Sequence, residues 1–454
     1  MSTHTASLAQ ADSAGATRTK KRFAILAMLF IVTTINYADR ATLSIAGPAL
    51  SKDLGIDSVT MGYIFSAFGW SYVIAQLPGG WLLDRFGSKT VYAASIFLWS
   101  VFTLLQGGIS FLTATATTAV VVLFALRFLV GAAEAPSFPA NGRIVASWFP
   151  AAERGTASAI FNSAQYFATV LFAPLMGWIT HSYGWPAVFV VMGLLGIALS
   201  AIWLKTVFTP RTHPSVSQAE LDHIAAGGAL VNMDQPGIQS RSFAPNAPKL
   251  GYIKQLLSNR MLLGVYVGQY CITTLTYFFL TWFPVYLVKE RGMSILNAGF
   301  VAALPAICGF AGGVLGGVVS DALLRRGKSL TLARKTPIVI GMLLSTSMIL
   351  CNYVDSAAVV VAIMSLAFFG KGLGALGWAV VSDTSPKEIS GLSGALFNTF
   401  GNTAGITTPI VIGYLIKGTG SFNAALVFVA ANALVAVCCY LFVVGEIRRF
   451  ELRK

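Results

Sequence analysis

GGWLLDRFGSKT at residues 79–90 and GGVVSDALLRRGKS at residues 316–329 decide how this chain is read. In each, a glycine (Gly80, Gly317) stands four residues before an aspartate (Asp84, Asp321), and basic residues follow. A second echo comes at nearly the same separation: PAAERGTASAIFN at 150–162 against SPKEISGLSGALFN at 385–398, then Pro174 and Gly177 against Pro409 and Gly413. The chain is therefore an internal duplication whose repeat spans about half its length.

Composition says what is duplicated. The 454 residues are 56% hydrophobic and only 11% charged, with a mean hydropathy of +0.72, which fits no ordinary soluble domain. About 20 apolar residues cross a hydrocarbon core as a helix, and such runs recur at 23–50, 58–83, 90–112, 117–138, 155–180, 184–206, 261–288, 296–320, 336–353, 356–381, 388–416 and 421–444. The fold expected is an all-α integral membrane protein: twelve transmembrane helices in two pseudo-symmetric six-helix halves. Six crossings return the chain to its starting side, so the repeats are parallel, with a cleft between them near the midplane. The corresponding parts are a tail (1–22), a first half (23–206), a linker (207–260), a second half (261–446) and a short tail (447–454).

A net charge of +14 would suggest nucleic acid in a soluble protein. Here its distribution carries another meaning, because cytoplasmic loops of membrane proteins are enriched in Lys and Arg. With a cytoplasmic N-terminus, only Lys52, Lys289, Arg291 and Lys417 of the thirty-one fall outside, and Arg40, Arg127 and Lys371 fall within spans. Both termini are thus expected in the cytoplasm. The polar first 22 residues end in KKR before an apolar run, and the eleven further spans favour an uncleaved first helix over a secretory signal. The five cysteines lie in apolar runs without metal or disulfide spacing, and His4, His181, His213 and His223 lie in the tail or loops. With no phosphate loop, nucleophile triad or zinc spacing either, enzymatic chemistry, ATP-driven transport, cofactors and metals are not expected.

Charges inside the spans need a reason. A charged side chain at the bilayer centre costs roughly 2.5–3.5 kcal/mol on insertion scales, so Asp39, Arg40, Arg127, Glu134 and Lys371 together cost on the order of 12–17 kcal/mol. That rivals a whole domain's stability of about 5–15 kcal/mol. A salt-bridge network holding helices together would offset part of it, but buried pairs rarely outdo a hydrophobic replacement. A functional site is the better account. Arg127, Gly131 and Glu134 share one helix face, leaving room for something bulky at the glycine. Other polar faces are Asn36 and Arg40; Phe68, Tyr72 and Gln76; Asn162, Gln165 and Thr169; Lys371, Gly374 and Trp378; and Gly394, Asn398, Asn402 and Gly405. Each also reads as interhelical hydrogen bonding.

Arginine suits carboxylate recognition through its planar fork, its permanent charge and its weak hydration. Two of them imply an anion. Lys371 falls near the repeat equivalent of Glu134, facing the cleft from the other half. A third cation suggests a second carboxylate, hence a dianion held between Arg40/Arg127 and Lys371. The competing role for Lys371 is pairing with Asp39 or Glu134, or snorkelling to the membrane surface.

The G-x-x-x-D-R-x-G-x-K pattern of Gly80, Asp84, Arg85, Gly87 and Lys89, echoed around Asp321 in a twelve-span chain, resembles the major facilitator superfamily. There the aspartate is expected to cap a helix end and pair with basic residues across the cytoplasmic interface, favouring the outward-open arrangement. NYADRATLSIAGPAL (36–50), RFLVGAAEAPSFPANGRIVASWFP (127–150) and FFGKGLGALGWAVVSDTSPKEISGLSGALFNTFGN (368–402) narrow the likeness to the anion:cation symporter family, and within it to bacterial sugar-acid members that carry glucarate and galactarate.

The resemblance implies that Arg40 and Arg127 bind the substrate carboxylate, with Tyr37, Tyr72, Gln165, Trp378 and Asn398 around a polyhydroxylated body. It also implies that Asp39 and Glu134 carry coupling protons, in keeping with environments that push two acids' proton affinities apart. The expectation is a monomeric carrier in the bacterial inner membrane, whose partners are a sugar-acid anion, protons and lipid. Alternatives are a symporter of monocarboxylates such as galactonate or hexuronate, or an exchanger or facilitator without proton coupling. Pro136, Pro139, Pro284, Pro305 and Pro409 are candidate bends, and Ser217 and Glu220 are spaced to cap a short linker helix.

Overall fold

The computed structural model describes residues 19–109, 115–150, 153–234, 250–386 and 389–452. Its first half consists of α1 (Lys21–Leu54), α2 (Ser58–Phe86), α3 (Ser88–Gly107), α4 (Ala116–Glu134) continued by α5 (Ser137–Trp148), α6 (Arg154–Tyr183) and α7 (Trp185–Thr206). The linker contributes α8 (Gln218–Ala226) and α9 (Leu250–Ser258). The second half has α10 (Arg260–Tyr277) joined to α11 (Phe283–Lys289), α12 (Ile295–Arg325), α13 (Leu330–Ser345), α14 (Ala357–Leu373) continued by α15 (Gly377–Thr384), α16 (Ser390–Thr419) and α17 (Asn423–Cys438). Counting joined segments once and leaving out the linker helices gives twelve crossings, six per half, as the duplication requires. Ten of these runs are long and apolar enough to cross a membrane, and α2 and α16, of 29 and 30 residues, complete the set.

The helices outrun the apolar windows because hydropathy sees only the part in hydrocarbon. The span read as 117–138 extends to Trp148 and the one read as 336–353 begins at Leu330. Pro136 stands at the break between α4 and α5, where it cannot supply an intrahelical N–H. Pro284 lies in the first turn of α11, just after a π turn at Phe278–Trp282, whereas Pro305 and Pro409 sit inside unbroken helices. Gly87, with φ of +78°, supplies the turn between α2 and α3 that a side chain would strain.

The halves meet along two seams, α2 against α16 and α6 against α12. Glycine makes both close. A Cβ on Gly62 would lie 2.6 Å from the Pro409 carbonyl oxygen, and one on Gly299 would lie 2.6 Å from that of Ala173. At the end of the bundle away from the termini, Lys417 pairs with Asp57 at 2.9 Å, the Tyr63 and Tyr414 hydroxyls meet at 3.2 Å, and Ser58 donates to the Gly413 carbonyl at 3.2 Å. Nearer the middle, Asn398 donates to Gln76 at 3.2 Å. Toward the termini, Trp81 and Phe86 of α2 are exposed, and Cβ atoms on Gly80 and Gly317 would meet nothing within 4 Å. The halves are therefore sealed at one end and part toward the end that carries the termini.

Thr60, which donates to the Asp57 carboxylate, and then Lys417 hold Asp57 down to about 2. Its contribution to the seal is present above the ordinary carboxylate value and lost only as pH falls through about 2, so the seal does not titrate in the physiological range. An exposed pair is screened by water and salt and contributes little. Lys417→Gln is accordingly expected to raise the population open at this end by no more than about five-fold, read as the labelling rate of a cysteine placed at Tyr63.

Ser217 caps α8 by accepting from the Glu220 N–H at 3.3 Å. The buried Glu220 carboxylate in turn accepts from the Thr19 hydroxyl at 2.5 Å, the Lys21 N–H at 2.9 Å and the Arg22 N–H at 3.1 Å. Burial raises this carboxyl's proton affinity, but the donors and the Arg22 charge outweigh it and leave the group below its ordinary value. The linker thereby clamps the start of α1.

Candidate functional site

Between the halves lies a cleft of about 660 Å³, its open mouth included, with walls from α1, α6, α10, α12 and α14. Of the substrate-binding residues expected from the sequence, Tyr37, Gln165 and Lys371 line it, together with Thr169 of the same polar face and the candidate bends Pro284 and Pro305. Lys371 is 5% exposed, and among the described residues it makes no ion pair or hydrogen bond. Its Nζ lies 5.8 Å from the centre of the Tyr166 ring and 5.2 Å from that of Phe368. A buried ammonium held only by aromatic faces is costly unless an anion joins it. Pairing of Lys371 with Asp39 or Glu134 is not formed.

The arginines stand behind Tyr37, out of the cleft. Arg40 donates from Nε to Glu134 at 2.8 Å, and its guanidinium lies 4.9, 4.7 and 4.9 Å from the rings of Tyr37, Phe68 and Tyr72. Arg127 donates from Nη2 to the Arg40 carbonyl at 2.7 Å. Arg40 Nη2 and Arg127 Nε are buried without a hydrogen-bond partner, so each arginine keeps a donor in reserve. Asp39, also buried, accepts from the Thr103 hydroxyl at 2.9 Å. Three buried cations thus face two carboxylates. The cluster is one negative charge short of neutral, and a bound anion would supply it.

The structure departs from the sequence reading at several places. Gly131 does not make room for substrate: a Cβ there would sit 2.3 Å from Ser71 Oγ and 2.4 Å from the Phe68 carbonyl oxygen, so the glycine lets α4 pack on α2. Trp378 lies outside the cleft, 58% exposed and edge-on to Phe397 at 4.9 Å. Asn398 and Gln76 belong to the seam, with Asn402 donating to Asn398 Oδ1 at 3.1 Å and Tyr277 donating to Asn402 at 3.3 Å. Tyr72 stacks on Phe68 at 5.4 Å and packs against Arg40, away from the cleft lining. Tyr166 went unnoticed although it falls on the Asn162–Gln165–Thr169 face. Thr103 carries no signal in an apolar run.

In the repeated motif, Arg85 is exposed against Trp81 and Phe86, with ring centres at 5.3 and 5.6 Å, and Lys89 Nζ lies 3.4 Å from the Phe208 ring centre. The Asp84 side chain lies outside the described residues. In the second copy, Arg334 reaches Asp321 at 3.9 Å and Asp383 at 2.8 Å, both within one half. The parting of the halves at this end leaves the motif residues Gly80 and Arg85 without a cross-half partner among the described contacts.

A family model described as Major Facilitator Superfamily matches residues 29–333. The chain is 70% identical over 437 residues to the probable galactarate/D-glucarate transporter GudP of Bacillus subtilis (strain 168), covering 96% of this chain and 95% of that protein. It is 64% identical over 447 residues to the GudP of Escherichia coli (strain K12), covering 98% of each. A D-galactonate transporter of Escherichia coli O6:H1 is 42% identical, over 95% of this chain and 97% of the relative. Among solved structures, a D-xylose-proton symporter superposes with a TM-score of 0.70 at 15% identity, over 94% of this chain and 98% of that one, which speaks for the fold alone. The duplicated twelve-helix bundle, the cleft between its halves and these matches together place the chain in the major facilitator superfamily of membrane transporters.

Proposed function

We propose that the protein takes up sugar-acid dianions, D-glucarate and galactarate in particular, together with protons, by alternating access across the bacterial inner membrane, with both termini cytoplasmic. The observation that carries this reading is Lys371: a buried ammonium with no counter-ion among the described residues, on the cleft wall, in a cluster already one positive charge in excess. A dianion with one carboxylate at Lys371 and the other drawn to the free donors of Arg40 and Arg127, taken up with one proton on Glu134 or Asp39, would neutralise it. Tyr37, Gln165 and Tyr166 on the cleft wall suit the hydroxylated body, while Trp378, Tyr72 and Asn398 act from outside it, as seam or supporting residues. The names of the relatives at 60–70% identity agree with a diacid.

In the cycle, protons load Glu134 and Asp39 while the site faces outward. Protonated Glu134 no longer holds Arg40, the arginine turns to the anion, and the halves rock about their two seams. On the inner side the anion leaves, the protons follow, and Glu134 recaptures Arg40. In this reading the observed arrangement, sealed away from the termini with Arg40 on Glu134, is the inward-facing stage after proton release. The glycine pairs of the seams let backbones slide at contact distance, and a monomer suffices for the cycle.

The galactonate relative favours a second reading, a monocarboxylate carrier in which Lys371 plays no part. Uptake by the Lys371→Gln variant separates the two. The dianion reading expects glucarate uptake to fall at least ten-fold more than galactonate uptake, and an equal fall in both would remove the second-carboxylate role.

A further inference from the structure

Glu134 is fully buried and does not line the cleft, and Arg40 and Tyr37 stand between them. With Arg40 closed on Glu134, a proton leaving toward the cleft would have to pass the Arg40 and Tyr37 side chains. One side of α1 offers another path. Asn36 stands beside the Glu134 carboxyl. One turn closer to the terminal end of the bundle, Thr33 accepts from Asn141 Nδ2 of α5 at 3.1 Å. The Tyr92 hydroxyl of α3 neighbours both Thr33 and Asn141. All five side chains are buried, at 1% exposure or less.

Their hydrogen bonding is incomplete. Both amide atoms of Asn36, Oδ1 of Asn141 and the Tyr92 hydroxyl lack a partner in hydrogen-bonding geometry. Orphaned polar atoms in a protein interior are rare, and water bridging is their usual remedy. One helical turn beyond Tyr92, Ser88 accepts from Arg143 at 3.3 Å, and Arg143 pairs with Asp234 of the linker at 2.9 Å with both side chains partly exposed. These residues thus lie in order from Glu134 toward the surface at the end where the halves part.

We propose that Asn36, Thr33, Asn141 and Tyr92 form a water-bridged proton-exit file inside the first half, separate from the substrate cleft. The carboxyl O–H of Glu134 breaks, its proton hops along hydroxyls and bridging water that the amides hold in place and ends on solvent water at the Ser88 end, and the carboxylate left behind closes on Arg40. This rests on the reading that Glu134 carries a coupling proton. It adds that substrate and proton leave by different routes.

Two assays on proteoliposomes test it: uptake of labelled glucarate driven by a proton gradient, which requires proton release in every turn, and counterflow of labelled against unlabelled glucarate, in which the loaded carrier shuttles without releasing its proton. Tyr92→Phe keeps the ring on Trp203 (4.6 Å) and removes only the hydroxyl, and Asn141→Leu keeps the volume. Each is expected to slow gradient-driven uptake at least ten-fold with counterflow within two-fold of the unaltered protein. Unchanged uptake in both variants, or a parallel fall in uptake and counterflow, overturns the file. If the unaltered protein itself ignores the gradient, the failure belongs to the proton-coupling reading.

Discussion

Replacing Arg40 by lysine is expected to cut glucarate uptake by about a hundred-fold, with the protein still folded and inserted. The guanidinium does three things that an ammonium cannot do together: it binds Glu134 through Nε, keeps Nη2 in reserve, and lies against the faces of Tyr37, Phe68 and Tyr72. Lysine keeps the charge and satisfies Glu134 with one point contact, but it has no fork left for a carboxylate. Losing one partner of a desolvated, hydrogen-bonded charge contact costs about 2–5 kcal/mol, and the hundred-fold loss lies at the lower part of that range. The check is initial uptake rate beside the thermal midpoint. A variant with uptake within five-fold of the unaltered protein would show that Arg40 only holds helices together.

The second large effect is expected at Glu134. Glu134→Gln keeps the shape and removes the charge, so Arg40 loses its counter-ion and is left free for substrate, as in the protonated state. Counterflow should persist within about three-fold, while accumulation against a concentration difference should disappear, because nothing remains to load and release the proton. The concentration ratio reached in vesicles under a pH gradient measures this directly. A variant that still concentrates glucarate would move the coupling to Asp39, whose carboxylate faces Thr103 rather than Arg40.

Much of this was legible in the sequence for a physical reason: membrane burial makes every charge expensive, so Asp39, Arg40, Arg127, Glu134 and Lys371 stand out of an apolar background without any structure. The duplication, the crossings and the Ser217 cap follow from equally local rules. Which charges would meet was not legible. Arg127 and Glu134 share a face of α4, yet Glu134 pairs with Arg40 of α1, because helix rotation within a bundle depends on neighbours. The space at Gly131 is taken by Phe68 and Ser71, and that depends on how closely α2 approaches. Trp378 shares a helical face with Lys371 in the sequence, and the family resemblance implies a place for it around the substrate's hydroxylated body. The break between α14 and α15 turns it away from the cleft. Tyr166 needed only the same helical face to be read one position further.

The most direct test of the central claim is uptake of radiolabelled glucarate into vesicles containing the purified protein, with and without an inward proton gradient, in competition with unlabelled galactarate and galactonate. The account expects accumulation only with the gradient, blocked by galactarate well below the galactonate concentration that does the same. Equal uptake without a gradient, or block mainly by galactonate, would contradict it.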